Sequence, residues 1–302
     1  MPTWRSDSAS LGSLARRWAQ PLLVRALESS DLGRRSVGLF EYRLHPSPRY
    51  GWGKPPHQGI LEVLAAGEAR YEGVLNSFLA YEEDLSRIPG GRSVDGRLTW
   101  QNDYWGGLDA VALYAFISER RPATYLEIGS GFSTMFARRA IDDHGLATRI
   151  ISVDPQPRAE IDALVDRSIR TPLEASDLSL FSELTAGDIL VLDGSHCAFM
   201  NSDAVVAFLD VLPKISPGVL VCIDDIFLPW DYPPGWEQRW YGEQYLLAAM
   251  LLCGAPGWSP VFPAWYVTQE SPLKAKLDRL WALVLPADGK HAKSFWMERS
   301  AP

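Results

Sequence analysis

The sequence predicts an α/β fold, a mostly parallel sheet with helices on both faces, and three observations carry that prediction. From Trp100 onward, short aliphatic or β-branched runs alternate with segments of helical periodicity. One run, Tyr125 to Thr134 (Y-L-E-I-G-S-G-F-S-T), ends in an acid and a glycine turn that opens straight into a helical pattern. Finally, Glu127, Asp154, Asp193 and Asp224 all lie at the ends of apolar runs, and the carboxyl ends of parallel strands are where ligands bind.

In chain order, residues 1–95 read as a helical N-terminal appendage and 96–302 as the sheet domain. Leu11, Leu14, Trp18 and Leu22 share a helical face beside Arg16, Arg17 and Arg25. That face suits a helix packed on its own domain, with a surface anchor or an organellar presequence as the alternatives, and Pro21 shortens it. Ile60 to Leu85 is helically patterned between the breaks at Pro46–Pro56 and Ile88–Gly91. The sheet domain then reads as helix 107–120, strand 124–128, helix 133–143, strand 149–153, helix 158–166, strand 167–171 and a short helix 176–184. Strand 188–192, helix 203–212 and strand 218–223 follow. A proline- and aromatic-rich loop, 227–245, overlaps the start of an amphipathic helix, 237–252, and strands at 261–267 and 294–297 close the sheet as an antiparallel pair.

Composition narrows the function classes. The chain has 302 residues, 47% hydrophobic and 22% charged, with no apolar run approaching a membrane span of ~18 to 20 residues. A net charge of −8 argues against a nucleic-acid substrate, which calls for a basic face. Cys197, Cys222 and Cys253 are too scattered for a disulfide framework or a zinc cluster, so a reducing, cytoplasmic location is expected. The sequence leaves oligomerisation open, a homo-oligomer included.

The glycine turn selects a cofactor class. Gly129 and Gly131 let the backbone lie close to a ligand, but Thr134 stands where a dinucleotide loop has its third glycine, so a cofactor without a diphosphate fits better. Asp154, ending the second strand, can accept both hydroxyls of a ribose. Glu127 would repel a pyrophosphate and attract an ammonium, and S-adenosylmethionine carries the ammonium and no phosphate. Ser133 and Thr134 cap the following helix and border the same cofactor.

These stretches, E-I-G-S-G-F-S-T, S-V-D-P, D-I-L-V-L-D-G-S-H and P-G-V-L-V-C-I-D-D, resemble class I S-adenosylmethionine-dependent methyltransferases. The resemblance covers roughly residues 96–302 and is nearest the branch that includes metal-dependent sugar O-methyltransferases of macrolide biosynthesis. It implies a Rossmann-like sheet, mostly parallel with an antiparallel last strand. It also implies a divalent ion, magnesium, held by Asp193, Asp224 and Asp225, with His196 as base; the acceptor-binding segments of that branch have no visible match.

The residues themselves allow that chemistry. Adjacent parallel strands lie ~4.8 Å apart, so Asp193, Asp224 and Asp225 converge, and three carboxylates together need a cation or a proton. Oxygen ligands suit magnesium, which would hold and acidify a hydroxyl while His196 takes its proton. Asp193 is also a cofactor contact. Trp230, Tyr232, Trp236 and Tyr241 are expected to form the acceptor pocket, with Tyr104 and Trp105 covering the cofactor's methionine end. The expected reaction is methyl transfer to a hydroxyl of a small molecule or sugar in a specialised metabolite or glycan. An N-methyltransferase or metal-free O-methyltransferase on the same fold is one alternative, and a catalytically silent cofactor-binding scaffold is another.

Overall fold

A computed structural model describes residues 44–92, 96–284 and 292–300. The chain divides into two compact units, Met1–Ser47 and Pro48–Pro302. The amphipathic face read between Leu11 and Leu22 lies outside the described residues, and everything below concerns the second unit.

Seven strands form one sheet: β1 (Thr124–Ile128), β2 (Arg149–Val153), β3 (Arg167–Ile169), β4 (Ile189–Leu192), β5 (Leu220–Ile223), β6 (Trp258–Pro263) and β7 (Phe295–Arg299). Their order is β3-β2-β1-β4-β5-β7-β6. The first five pair in parallel and β7 runs antiparallel to both its neighbours, which is the α/β Rossmann-like arrangement the sequence predicts. The direction of strand addition reverses between β1 and β4, so the crevice above them is the switch point where such sheets bind ligands. β1, β4 and β5 are buried along their whole length, as a sheet covered on both faces requires.

Helices α1 (Gln58–Ala65), α2 (Glu68–Phe78) and α3 (Glu82–Ser86) come from the segment read as an appendage. Their Ile60, Leu64, Tyr71, Leu75, Phe78 and Leu85 belong to the same core as the sheet. Phe78 meets both Phe116 (5.4 Å between ring centroids) and Phe262 (5.1 Å). A division at residue 95 therefore corresponds to no break in packing; the compact unit begins at Pro48.

Helix α4 (Gly107–Arg120) is buried from Gly107 to Ser118, consistent with its nearly unbroken apolar sequence. Helix α5 (Phe132–Asp143) is amphipathic. It buries Met135, Phe136, Ala140 and Ile141, and on its other side pairs Arg139 with Asp143 at 2.7 Å, one turn apart. Helix α6 (Asp203–Val206) continues through a π turn and a 3₁₀ turn to Lys214, and α7 (Glu243–Leu252), α8 (Ala264–Gln269) and α9 (Asp278–Val284) complete the set described.

Four predicted elements differ. Residues 158–166 form turns rather than a helix: between Pro157 and β3 only Ile161 is buried, so no apolar stripe anchors a helix, and Arg158 N instead donates to Ser130 O (3.2 Å). The helix expected at 176–184 is a 3₁₀ segment, Leu178–Glu183. The helix expected at 237–252 begins at Glu243, because Trp240 takes a left-handed conformation (φ 57°) that ends the preceding 3₁₀ turn. The strand expected at 261–267 is shifted to β6, an edge strand that tolerates Pro260 and Pro263, and α8 follows it.

Candidate active site

Strand register lines up the site. Ile128 lies opposite both Val153 and Leu192, and Leu192 lies opposite Ile223, so the next residues, Gly129, Asp154, Asp193 and Asp224, stand in one row at the carboxyl edge. Gly129 turns there with φ +76°, and Asp193 N donates to Ile128 O at 2.8 Å.

A cavity of about 400 Å³ opens above the ends of β1, β2 and β4. Ile128, Val153 and Leu173 give it apolar walls, and Ser130, Asp154 and Asp193 are among its polar groups; Gly129 borders it. Asp154 accepts from Ser130 N (2.7 Å), Ser130 Oγ (3.2 Å) and Gln156 N (2.7 Å), which fixes the carboxylate yet leaves acceptor capacity. The N–H of Gly131 is taken by Thr134 Oγ1 at 3.1 Å. With Ser130 N and Gly131 N both engaged, the turn offers a diphosphate little of the N–H cradle that dinucleotide loops provide.

Glu127, Ser133 and Thr134 lie beneath this turn rather than in the cavity wall. The Glu127 carboxyl is fully buried and accepts from Tyr125 Oη (2.9 Å), Ser133 Oγ (3.1 Å) and Thr134 Oγ1. Here Glu127 ties β1 to the first turn of α5. Burial, only partly offset by these hydroxyls, pushes its carboxyl up to about 8. A carboxyl raised on folding adds stability that is complete below its unfolded value of about 4.5 and is lost as pH rises through the folded value. Glu127→Gln keeps the shape without the charge, so its melting temperature should gain on the wild type as pH climbs from about 5 to about 8. Parallel melting curves across that range would count against the buried, protonated carboxyl.

A second cavity, of about 590 Å³, lies beside the first above β4 and β5, and Asp193 and Arg158 line both. Its walls are aromatic: Tyr104, Phe227, Trp236, Tyr241 and Trp265. Arg239 stacks its guanidinium over Trp236 at 3.7 Å. Tyr104 is held by the side chain of Asn102, whose Oδ1 accepts from Tyr104 N and Trp105 N (3.1 and 2.8 Å). Trp105 is buried away from the cavity.

Of the four predicted acceptor residues, Trp236 and Tyr241 line this cavity and two do not. Trp230 packs on Gly51, where a Cβ would come within 2.2 Å of its Cγ, and donates Nε1 to Glu270. Tyr232 stands behind Trp236 and Tyr241, its hydroxyl accepting from Gln244 N at 3.2 Å. Both are supports of the wall.

Asp193, Asp224 and Asp225 all line this cavity, around cations already in the chain. Lys293 Nζ lies 3.0 Å from Asp224 Oδ2 and also bonds Asp225 Oδ1. His196 Nε2 faces Asp193 (3.2 Å) and Asp225 (3.5 Å), and its Nδ1 is 2.9 Å from Glu243. A magnesium ion does not fit this donor set: it needs oxygens at ~2.0–2.1 Å, and an ammonium stands between the two carboxylates it would use. Among the described residues no group of three or more His, Cys, Asp or Glu side chains is disposed to hold a metal ion.

His196 likewise differs from the base read in sequence. It is 2% exposed, lines neither large cavity, and has a carboxylate against each ring nitrogen. Burial opposes its charge, but Asp225, Asp193 and Glu243 outweigh burial and hold the imidazole well above its usual range. It is a counter-cation with no lone pair directed at the acceptor cavity.

Arg158, Arg239, Glu243 and Lys293 escaped the sequence reading. Glu243 had one signal, an acid in the first turn of an otherwise apolar helix. Lys293 had none, because its place follows from pairing across the sheet: Ile223 lies opposite Phe295, which sets the residues before β7 beside those after β5.

Residues 126–226 match the model of a family described as a methyltransferase domain. No curated protein matches the chain. Among solved structures, the chain is similar to the methyltransferase PaMTH1 of Podospora anserina bound to S-adenosylhomocysteine: 16% identity, 74% of this chain, 88% of that one, TM-score 0.40. An O-methyltransferase from Bacillus cereus in complex with the same compound shows 15% identity over 76% of this chain and 91% of its own, TM-score 0.35. The MycE methyltransferase of the mycinamycin biosynthetic pathway, in complex with Mg, S-adenosylhomocysteine and mycinamycin VI, shows 18% identity over 61% of this chain and 47% of its own, TM-score 0.36.

Proposed function

We propose that this protein transfers a methyl group from S-adenosylmethionine to a hydroxyl of a small-molecule or sugar acceptor. One observation carries the reading: two cavities at the carboxyl edge of the sheet, one suited to a nucleoside and one walled by aromatic rings, meet at Asp193 and Arg158. The methyltransferase-domain match over 126–226 supports it.

The cofactor would supply a methyl already activated on a sulfonium, so the protein's task is chiefly positioning. Asp154 holds the ribose hydroxyls, with Ser130 and Gln156 orienting its carboxylate. Ile128, Val153 and Leu173 give the purine an apolar bed. Trp236, Tyr241 and Trp265 offer flat faces to the acceptor ring and exclude water from it. Asp193 borders both cavities; His196 faces its Oδ1, and Oδ2 takes the proton as the acceptor oxygen attacks.

Calorimetric titration with S-adenosylhomocysteine tests this assignment. The wild type should bind, and Asp154→Ala should bind at least ~10-fold more weakly, as loss of hydrogen bonds to a charged group implies. No heat of binding from the folded wild type would sink the methyl-transfer reading.

A further inference from the structure

Lys293 is not an ordinary lysine of the cavity rim. Its backbone N–H donates to both carboxyl oxygens of Asp109 (2.9 and 3.1 Å), and the next N–H, of Ser294, joins them at 2.8 Å. Its carbonyl accepts from Ile226 N at 2.8 Å, which ties the segment before β7 to the one after β5. Asp109, in the first turn of α4, is fully buried, so this carboxyl anchors the lysine's main chain from beneath the sheet edge.

The side chain is as constrained as the backbone. It is 17% exposed and lines the aromatic cavity, with Nζ bonded to Asp224 and Asp225. An ammonium has three N–H donors; two are spent on these carboxylates, and among the described residues the third has no partner. The arrangement sets a fixed positive charge, with one unused donor, in the wall of the acceptor cavity.

We propose that Lys293 is a built-in cation that replaces a divalent ion, so that this acceptor site works without metal. The inference rests on the methyl-transfer reading for what the site does, though not for what it binds. Asp224 and Asp225 need a neutralising charge whether or not chemistry follows, and a lysine tied at backbone and side chain supplies it at no cost in metal recruitment. Its free N–H then donates a hydrogen bond to the acceptor oxygen, in place of the Lewis-acid coordination a metal would supply.

Mn²⁺ is the probe, followed by loss of its free paramagnetic resonance signal, with S-adenosylhomocysteine calorimetry on the same samples. The wild type should leave Mn²⁺ free over the range that saturates Lys293→Ala, in which Asp224 and Asp225 are released from their ammonium beside Asp193. Adding Asp225→Asn to Lys293→Ala should abolish that gained binding. Lys293→Met, which keeps the stem without the charge, serves if the shorter side chain prevents folding. Mn²⁺ bound by the wild type and lost in Asp225→Asn would overturn the proposal, as would a folded Lys293→Ala or Lys293→Met protein indifferent to Mn²⁺. Failure of S-adenosylhomocysteine to bind the wild type would instead strike the methyl-transfer reading, leaving the Mn²⁺ outcome to decide the role of Lys293.

Discussion

Gly129→Ala should destabilise the protein by about 3 kcal/mol or more and abolish S-adenosylhomocysteine binding. Two independent penalties coincide at this position. The backbone sits at φ +76°, which costs an L-residue roughly 1–2 kcal/mol. A Cβ built there would lie 1.8 Å from the carbonyl oxygen of Asp193, an atom of the main chain that no rotamer change can move. Relief requires β1 and β4 to part at the edge where both cavities open. Gly73 is the internal control: it is exposed in the middle of α2, and a Cβ there meets nothing within 4 Å. Gly73→Ala should therefore unfold in denaturant no earlier than the wild type. Equal stability of the two variants would mean that the Gly129 turn is not as described.

That turn was readable because its determinants are local. Strand residues Tyr125, Leu126 and Ile128, the two glycines and Thr134 lie within ten positions, and the acids at the strand ends came to one row once the strands were paired in parallel. The sites where sequence and structure part company depend on residues far away in the chain. His196 next to D-G in a motif reads as a base; the two carboxylates that engage it besides Asp193 come from the end of β5 and the start of α7. Asp224 and Asp225 read as metal ligands until the antiparallel register of β7 brings Lys293 between them. The aromatic loop shows the same limit. Trp230 and Trp236 are chemically equal candidates, and it takes the contacts with Gly51 and Glu270, both distant in sequence, to put the first in the support while the second faces the cavity.

His196→Gln should cost about 3 kcal/mol near neutral pH, because it leaves Asp193, Asp225 and Glu243 converging without the charge that separates them. The dependence on pH discriminates between the two roles this histidine has been given. Carboxylates on both nitrogens raise its folded pKa above the unfolded value of about 6.5. A histidine raised on folding contributes stability that is complete below the unfolded pKa and disappears as pH rises through the folded one. The gap between wild type and His196→Gln in urea denaturation should thus be widest near pH 6 and narrow steadily as pH rises through the folded value and the imidazolium loses its proton. The backbone should not obscure the result: the His196 carbonyl accepts from Gly242 N and Glu243 N at 2.8 and 3.1 Å, and glutamine keeps that cap on α7. A neutral His196 poised as a base would behave otherwise, leaving a gap that stays flat or widens on the alkaline side. That outcome would return the proton-accepting role from Asp193 to the histidine, and would require the ring to turn away from Glu243 toward the cavity that it does not reach in this structure.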